Sequence, residues 1–272
     1  MLMMQNVIPN PGFGTFRLEG DTLKQSIHAA LEAGYRHIDT AQFYGNEAEV
    51  GEAIYSSDVH RSDIFLTTKV WFDNLEPAKL KASVDESLQK LDTGYVDLLL
   101  IHWPSPGGEV PMADYLTALK EVKAEGKARH IGISNFTCNQ VDEAVSILGK
   151  DEILTNQIEV HPFLQNRKLA EHCAHLGIQV TAFMPLAVGK VMDDPILKKI
   201  AEAHKVTPAQ VALAWVNQRD MITIPSSTKA RNIQSNIAAF DLVLSDSDMD
   251  DIAMLDRQER IANPDFAPAW DE

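Results

Sequence analysis

Short apolar runs in this chain end, one after another, on polar or reactive side chains, at a nearly constant interval. Tyr35-Arg36-His37-Ile38 runs into Asp39, Ile64-Phe65-Leu66-Thr67-Thr68 into Lys69, Val96–Ile101 into His102, and Ile131-Gly132-Ile133 into Ser134. The ends at 39, 69, 102 and 134 lie 30, 33 and 32 residues apart, the length of a strand, a crossover helix and two short loops. Thr155-Asn156 before Gln157, Gln179–Phe183 and Met221–Ile224 continue the series, and Phe240–Leu244 is the expected last strand. Strands this apolar, alternating with helices, belong in a parallel sheet covered on both faces. Eight of them predict a closed (β/α)8 TIM barrel, with Val7–Gly14 as a short N-terminal hairpin closing the barrel bottom. The 272 residues are then one barrel domain spanning 1–272, an ordinary size for that architecture.

The segments between the strands read as helices. Leu80, Val84, Leu88 and Leu91 share one helical face. Asn46 followed by Glu49 predicts a capped helix start after Tyr44. Thr207-Pro208 supplies a cap and a first-turn proline for Ala209–Asn217.

Charge narrows the choice of partners. Lys+Arg number 24 against 39 Asp+Glu, a net charge of −15, which repels nucleic acid and anionic membranes. A phosphate-bearing ligand therefore needs a local basic site. Cys138 and Cys173, the two cysteines, fall in separate predicted helices and make no disulfide framework, as expected in a reducing cytoplasm. Met1–Asn6 has no basic region or long apolar run, so no signal peptide is expected. No stretch reaches the ~20 apolar residues of a membrane span. A cytoplasmic monomer acting on a small molecule is the expectation.

Asp39, Tyr44, Lys69 and His102 together suggest chemistry. Three end neighbouring strands, and Tyr44 sits in the loop after Asp39. A phenol with a reference pKa of about 10 is a weak acid near neutrality; a nearby ammonium is expected to lower that value. A carboxylate keeps the lysine charged, and an imidazole can hold a substrate oxygen. The group is a proton donor aimed at a carbonyl. No side chain is an obvious nucleophile: there is no Gly-x-Ser-x-Gly, His-Glu-x-x-His or Cys-x-x-Cys, and His161-Pro162 has no metal-ligand partner at suitable spacing. No metal is expected. A hydride from a cofactor would complete the reaction, although no Gly-x-Gly-x-x-Gly marks a Rossmann site.

The chain resembles the aldo-keto reductases along essentially its whole length. The matching motifs are Gly14-Thr15, Gly34–Ala41, Tyr44-Gly45-Asn46-Glu47, Thr68-Lys69-Val70-Trp71, and Val96-Asp97-Leu98 through His102-Trp103-Pro104. Gly132–Phe136, Asn156-Gln157-Ile158-Glu159 and Ile224-Pro225-Ser226-Ser227 complete the set. The likeness is greatest to the bacterial members that reduce 2,5-diketo-D-gluconate and methylglyoxal. It implies NADPH-dependent reduction of small aldehydes and ketones, with Tyr44 as general acid, Lys69 and Asp39 tuning it, and His102 orienting the carbonyl. It also implies that Ser134, Asn135 and Gln157 hold the nicotinamide carboxamide and that Phe183 stacks on its ring. Gly14, Thr15, Met184, Leu186, Ser226, Ser227, Thr228 and Asn236 would complete the cofactor groove. By the same resemblance Phe16, Trp71 and Trp103 would wall the substrate site. The chain departs from the family pattern at Phe183 (usually Tyr), Met184 (usually Ser), Ser226 (usually Lys) and Asn232 (usually Arg). Lys229 and Arg231 lie between the last two and are the expected partners of the 2′-phosphate.

Two other functions fit parts of this pattern. An aldolase-type barrel would use Lys69 as a Schiff-base nucleophile, which requires a depressed lysine pKa. A non-catalytic nucleotide sensor would keep the cofactor residues but has no need of Tyr44, Lys69 and His102.

Overall fold

Short runs buried at nearly every position build eight parallel strands, each paired with the next in chain order. In the computed structural model, which describes residues 7–149 and 151–271, they are β1 (Phe13–Gly14), β2 (His37–Asp39), β3 (Phe65–Val70), β4 (Val96–Ile101), β5 (Ala128–Ser134), β6 (Ile153–Glu159), β7 (Gln179–Phe183) and β8 (Ile222–Thr223). Helices α1 (Gly20–Glu32), α2 (Glu47–Tyr55), α3 (Pro77–Lys90), α4 (Met112–Ala124), α5 (Cys138–Leu148) and α6 (Arg167–His175) fill the successive crossovers. Two helices, α7 (Pro195–His204) and α8 (Pro208–Asn217), separate β7 from β8, and α9 (Ala230–Ile237) and α10 (Asp246–Ala253) follow. This is the (β/α)8 barrel expected from the strand period.

Helix α3 shows how a crossover helix turns one apolar face inward. Leu80, Val84 and Leu88 of α3 are buried, as is Leu91 just after it. Thr207 caps α8 through a reciprocal pair with Gln210. Cys138 and Cys173 lie on α5 and α6 as free, buried thiols; burial pushes them up to about 11 and about 12. No described helix is long and apolar enough to cross a membrane.

The barrel closes at a seam that the sequence reading missed. Gly12 N–H donates to Thr223 O at 2.8 Å and Gly14 N–H to Pro225 O at 3.0 Å. Below them the Asn10 side chain accepts from Thr223 N–H at 2.9 Å and donates to Met221 O. The eighth strand is thus Phe13–Gly14 at the start of the chain, not Phe240–Leu244. That later segment forms one 3-10 turn, Ala238–Asp241, and then irregular chain. Val243 is 76% exposed, and Leu244 satisfies its backbone on the Gln218 side chain. With β1 already paired to β8, no free edge remains for it.

The expected N-terminal hairpin is also absent: Val7–Gly12 forms no strand pair, and Phe13–Gly14 is a barrel strand. Among the described residues, Ile8 packs with Leu98, Leu100 and Ile222, with Phe65 and Leu154 against them. The reading of Met1–Asn6 falls outside the described residues. Asn46 stands at the cap position of α2, but its side chain does not cap that helix. It accepts from Thr40 Oγ1 and donates to Thr15 O and Leu18 O. Tertiary contacts have claimed the side chain that local spacing assigned to the helix end.

Candidate active site

The register gathers the candidate groups at one end of the barrel. Asp39 pairs with Thr67, Lys69 with Leu100, and Ser134 with Gln157. Lys69 is fully buried and bonded to the Asp39 carboxylate. Its ammonium also donates to Thr40 O at 2.8 Å and to Tyr44 Oη at 3.2 Å. Gln157 Nε2 donates to the second Asp39 oxygen at 2.8 Å. Tyr44 rests on a short 3-10 turn, Gln42–Tyr44, that Gly45 ends in the left-handed region at φ 69°. Its ring meets that of His102 edge-on, centroids 5.7 Å apart. The structure therefore brings Asp39, Tyr44, Lys69 and His102 into one contiguous group.

The electrostatics differ in one respect from the sequence expectation. Burial raises the Tyr44 pKa above its ordinary 10.0 and outweighs the opposing pull of Lys69. The phenol thus stays protonated at neutral pH. Burial works against the Lys69 charge, but Asp39 and Tyr44 prevail, and its pKa is raised. Burial, then the Lys69 charge, holds the His102 imidazole well below its usual 6.5. The cluster contains a loaded phenol, a fixed ammonium and a neutral imidazole.

Aromatic rings form a cup over this group. Phe16 lies 5.0 Å from the Tyr44 ring, and Trp71 meets His102 edge-on at 5.2 Å. Trp103 is buried beneath the rim. Four members of the cup were not legible in the sequence. Phe43 stacks on Trp71 at 4.1 Å, and Phe72 touches both Trp71 and Phe266. Phe266 stands edge-on to Trp71 and Trp103, and Trp270 lies 6.0 Å from Trp103. The last two belong to the chain after α10. Ile261 and Ala262 N–H groups anchor that tail on the buried Glu159 carboxylate, which also bonds His161. The Asp271 carboxylate accepts from Cys138 N–H at the start of α5. Isolated aromatics in a Pro- and Asp-containing tail have no periodicity to reveal them.

The residues expected to hold a cofactor line the other side. Ser134, Asn135 and Gln157 are buried at the ends of β5 and β6. Asn135 adopts φ 63° and spends its amide hydrogens on His102 O and Ser134 Oγ. Its Oδ1 is buried without a partner, a free acceptor suited to a carboxamide N–H₂. Thr15 is clamped to Asp39 O through both N–H and Oγ1, beside Gly14. Phe183, Met184 and Leu186 are half-buried. Their loop holds Met184, Ala187 and Val188 at φ 49°, 47° and 54°, a strained path for non-glycine residues. Ser226, Thr228, Lys229 and Arg231 are exposed, Ser227 is half-buried, and Asn236 is buried on α9. Lys229 is the N-cap residue of α9, and Arg231 lies in its first turn. Among the described residues no cluster of three or more His, Cys, Asp or Glu could hold a metal.

Fold and polar cluster together match one family. The sequence profile of the aldo/keto reductase family covers residues 12–257, and the chain belongs to that family. It is 51% identical to the methylglyoxal reductase DkgB of Yersinia pestis, over 97% of this chain and 99% of that protein. It is 41% identical to the glyoxal reductase of Bacillus subtilis, covering 93% and 91% of the two chains. A crystal structure assigned to a 2,5-diketo-D-gluconic acid reductase B superimposes with a TM-score of 0.93 at 48% identity, covering 97% and 94%.

Proposed function

We propose that this protein reduces small, activated carbonyls to alcohols with NADPH, taking 2-oxoaldehydes such as methylglyoxal and diketo-sugar acids such as 2,5-diketo-D-gluconate. The observation that carries the reading is the Lys69 ammonium shared between Asp39 and the Tyr44 hydroxyl, opposite a neutral His102. NADPH would supply the hydride to the carbonyl carbon. Ser134, Asn135 and Gln157 are suited to the nicotinamide, with Phe183 against its ring. Lys229 and Arg231 are suited to the 2′-phosphate, beside the α9 N-terminus.

The protein's own groups then handle the oxygen. His102, neutral, donates an N–H to the carbonyl oxygen and polarises it. Tyr44 passes its phenolic proton to that oxygen as negative charge develops. The phenolate left behind faces the Lys69 ammonium, whose charge Asp39 fixes, and is reprotonated from solvent. A phenol with a raised pKa is a weaker acid, but it stays loaded over the neutral range, and Lys69 stabilises its base only once the proton has moved. This is differential stabilisation of the transition state. The aromatic cup offers apolar walls suited to small substrates.

The Schiff-base alternative is disfavoured by the same geometry. A Lys69 held protonated by Asp39 is a poor nucleophile. A screen of NADPH oxidation against methylglyoxal, glyoxal, 2,5-diketo-D-gluconate and a steroid ketone tests the proposal. The small carbonyls should give the higher kcat/KM; turnover confined to the steroid, or absent throughout, would refute it.

A further inference from the structure

We infer that Arg17 is the specificity residue that binds a carboxylate on the substrate and favours anionic keto acids over neutral carbonyls. The inference rests on the reductase reading and names a substrate class for it. Arg17 follows Phe16 at the rim of the cup. Its guanidinium lies 4.9 Å over the Phe16 ring, whose other neighbour is Tyr44 at 5.0 Å. A single aromatic ring thus separates this cation from the proposed proton donor.

The position is built, not incidental. Arg17 takes φ 64°, a left-handed conformation that costs a non-glycine residue free energy and persists only where its surroundings impose it. They do so here on both sides. Thr15 is tied to Asp39 O twice, and Leu18 N–H closes a turn on Thr15 O. Asn46, in place of capping its helix, holds the carbonyls of Thr15 and Leu18. Arg17 is the exposed residue at the tip of this clamped turn.

Its charge is also uncommitted. Among the described residues the Arg17 side chain meets no carboxylate, whereas Arg61 and Arg129 share Asp97, and Arg257 holds Glu259. Of the other cations at this end, Lys69 is held by Asp39, Lys190 by Glu259, and Arg260 by Asn166 and the Trp270 ring, while Lys229 and Arg231 stand apart at the start of α9. In a protein of charge −15, an anionic substrate needs one local cation to offset the field. A planar guanidinium suits a carboxylate, which it can hold through two parallel hydrogen bonds.

The test compares Arg17→Ala and Arg17→Lys with the parent enzyme, using 2,5-diketo-D-gluconate and methylglyoxal. The ratio of kcat/KM for the acid over the neutral carbonyl should fall at least ~10-fold in Arg17→Ala, mainly through KM, as loss of a charge-assisted contact predicts. Lysine should restore part of the ratio. The parent's preference for the acid should weaken with added salt, and the alanine variant's should not. An unchanged ratio would overturn the assignment. So would an equal loss for both substrates with a raised NADPH Kd, which would give Arg17 to the cofactor phosphates. Should the parent turn over neither substrate, the reductase reading fails separately. Quenching of tryptophan fluorescence by D-gluconate, with sorbitol as the neutral control, then decides Arg17: gluconate-selective binding lost in Arg17→Ala supports it, and binding equal in both proteins, or none to the parent, overturns it.

Discussion

Lys69 was legible as a single residue because it is costly where it stands; Asp39 and His102 were legible only in combination with it and Tyr44. A lysine at the end of an apolar strand needs a partner, and the partner lies on the neighbouring strand. What single residues did not reveal was the balance of effects on Tyr44: proximity of Lys69 suggests a lowered phenol pKa, yet burial dominates and raises it. The same balance operates at His37, fully buried and bonded to Thr67 Oγ1 and Pro9 O. Burial lowers its pKa to about 4. The unfolded chain takes up this proton near 6.5 and the folded chain only near 4, so its contribution to stability is complete above 6.5 and is lost as pH falls between those values. The difference is worth about 3 kcal/mol. Urea unfolding followed from pH 7 to pH 4.5 should show an acid limb that is shallower in His37→Gln. Identical limbs would mean that His37 does not carry this proton linkage.

At the scale of elements, strands β2 to β8 were readable, the two-residue β8 within Met221–Ile224 included, and the two-residue β1 was not. Phe13-Gly14 carries no alternation long enough to register, while Phe240–Leu244 has the right composition and no ladder to join. The barrel closes instead through glycines, because a side chain would not fit. A Cβ on Gly14 would lie 2.8 Å from the Ile224 carbonyl oxygen, a backbone atom that cannot swing aside. Gly14→Ala should therefore lower the thermal midpoint, at a cost of roughly 1–3 kcal/mol for an overpacked site. An unchanged midpoint by circular dichroism would show that the β1–β8 seam has room to part. The aromatic tail was hidden for a different reason. Phe266 and Trp270 reach the cup on a tail that Glu159, more than a hundred residues earlier, anchors before them and that Asp271 ties to α5 after them.

At the scale of the molecule, the strand period and its polar ends carried the architecture, and the net charge poses a question for the cofactor. A 2′-phosphate adds negative charge to a protein at −15, so a preference for NADPH needs local cations. Lys229 and Arg231 flank the start of α9 and are exposed to receive it. Replacing both with alanine should raise the Kd for NADPH by at least ~10-fold and change that for NADH little, as read from tryptophan quenching. Equal losses for the two cofactors would assign the pair to the pyrophosphate or to the fold.

The central claim is that Tyr44 delivers the proton in a carbonyl reduction. Tyr44→Phe removes one oxygen and keeps the ring packed between Phe16 and His102. The direct measurement is turnover of methylglyoxal by this variant beside its NADPH Kd. Turnover should fall by at least the ~10²-fold typical of losing a general acid, with cofactor affinity retained. Near-parent turnover in a variant that still binds NADPH would contradict the account.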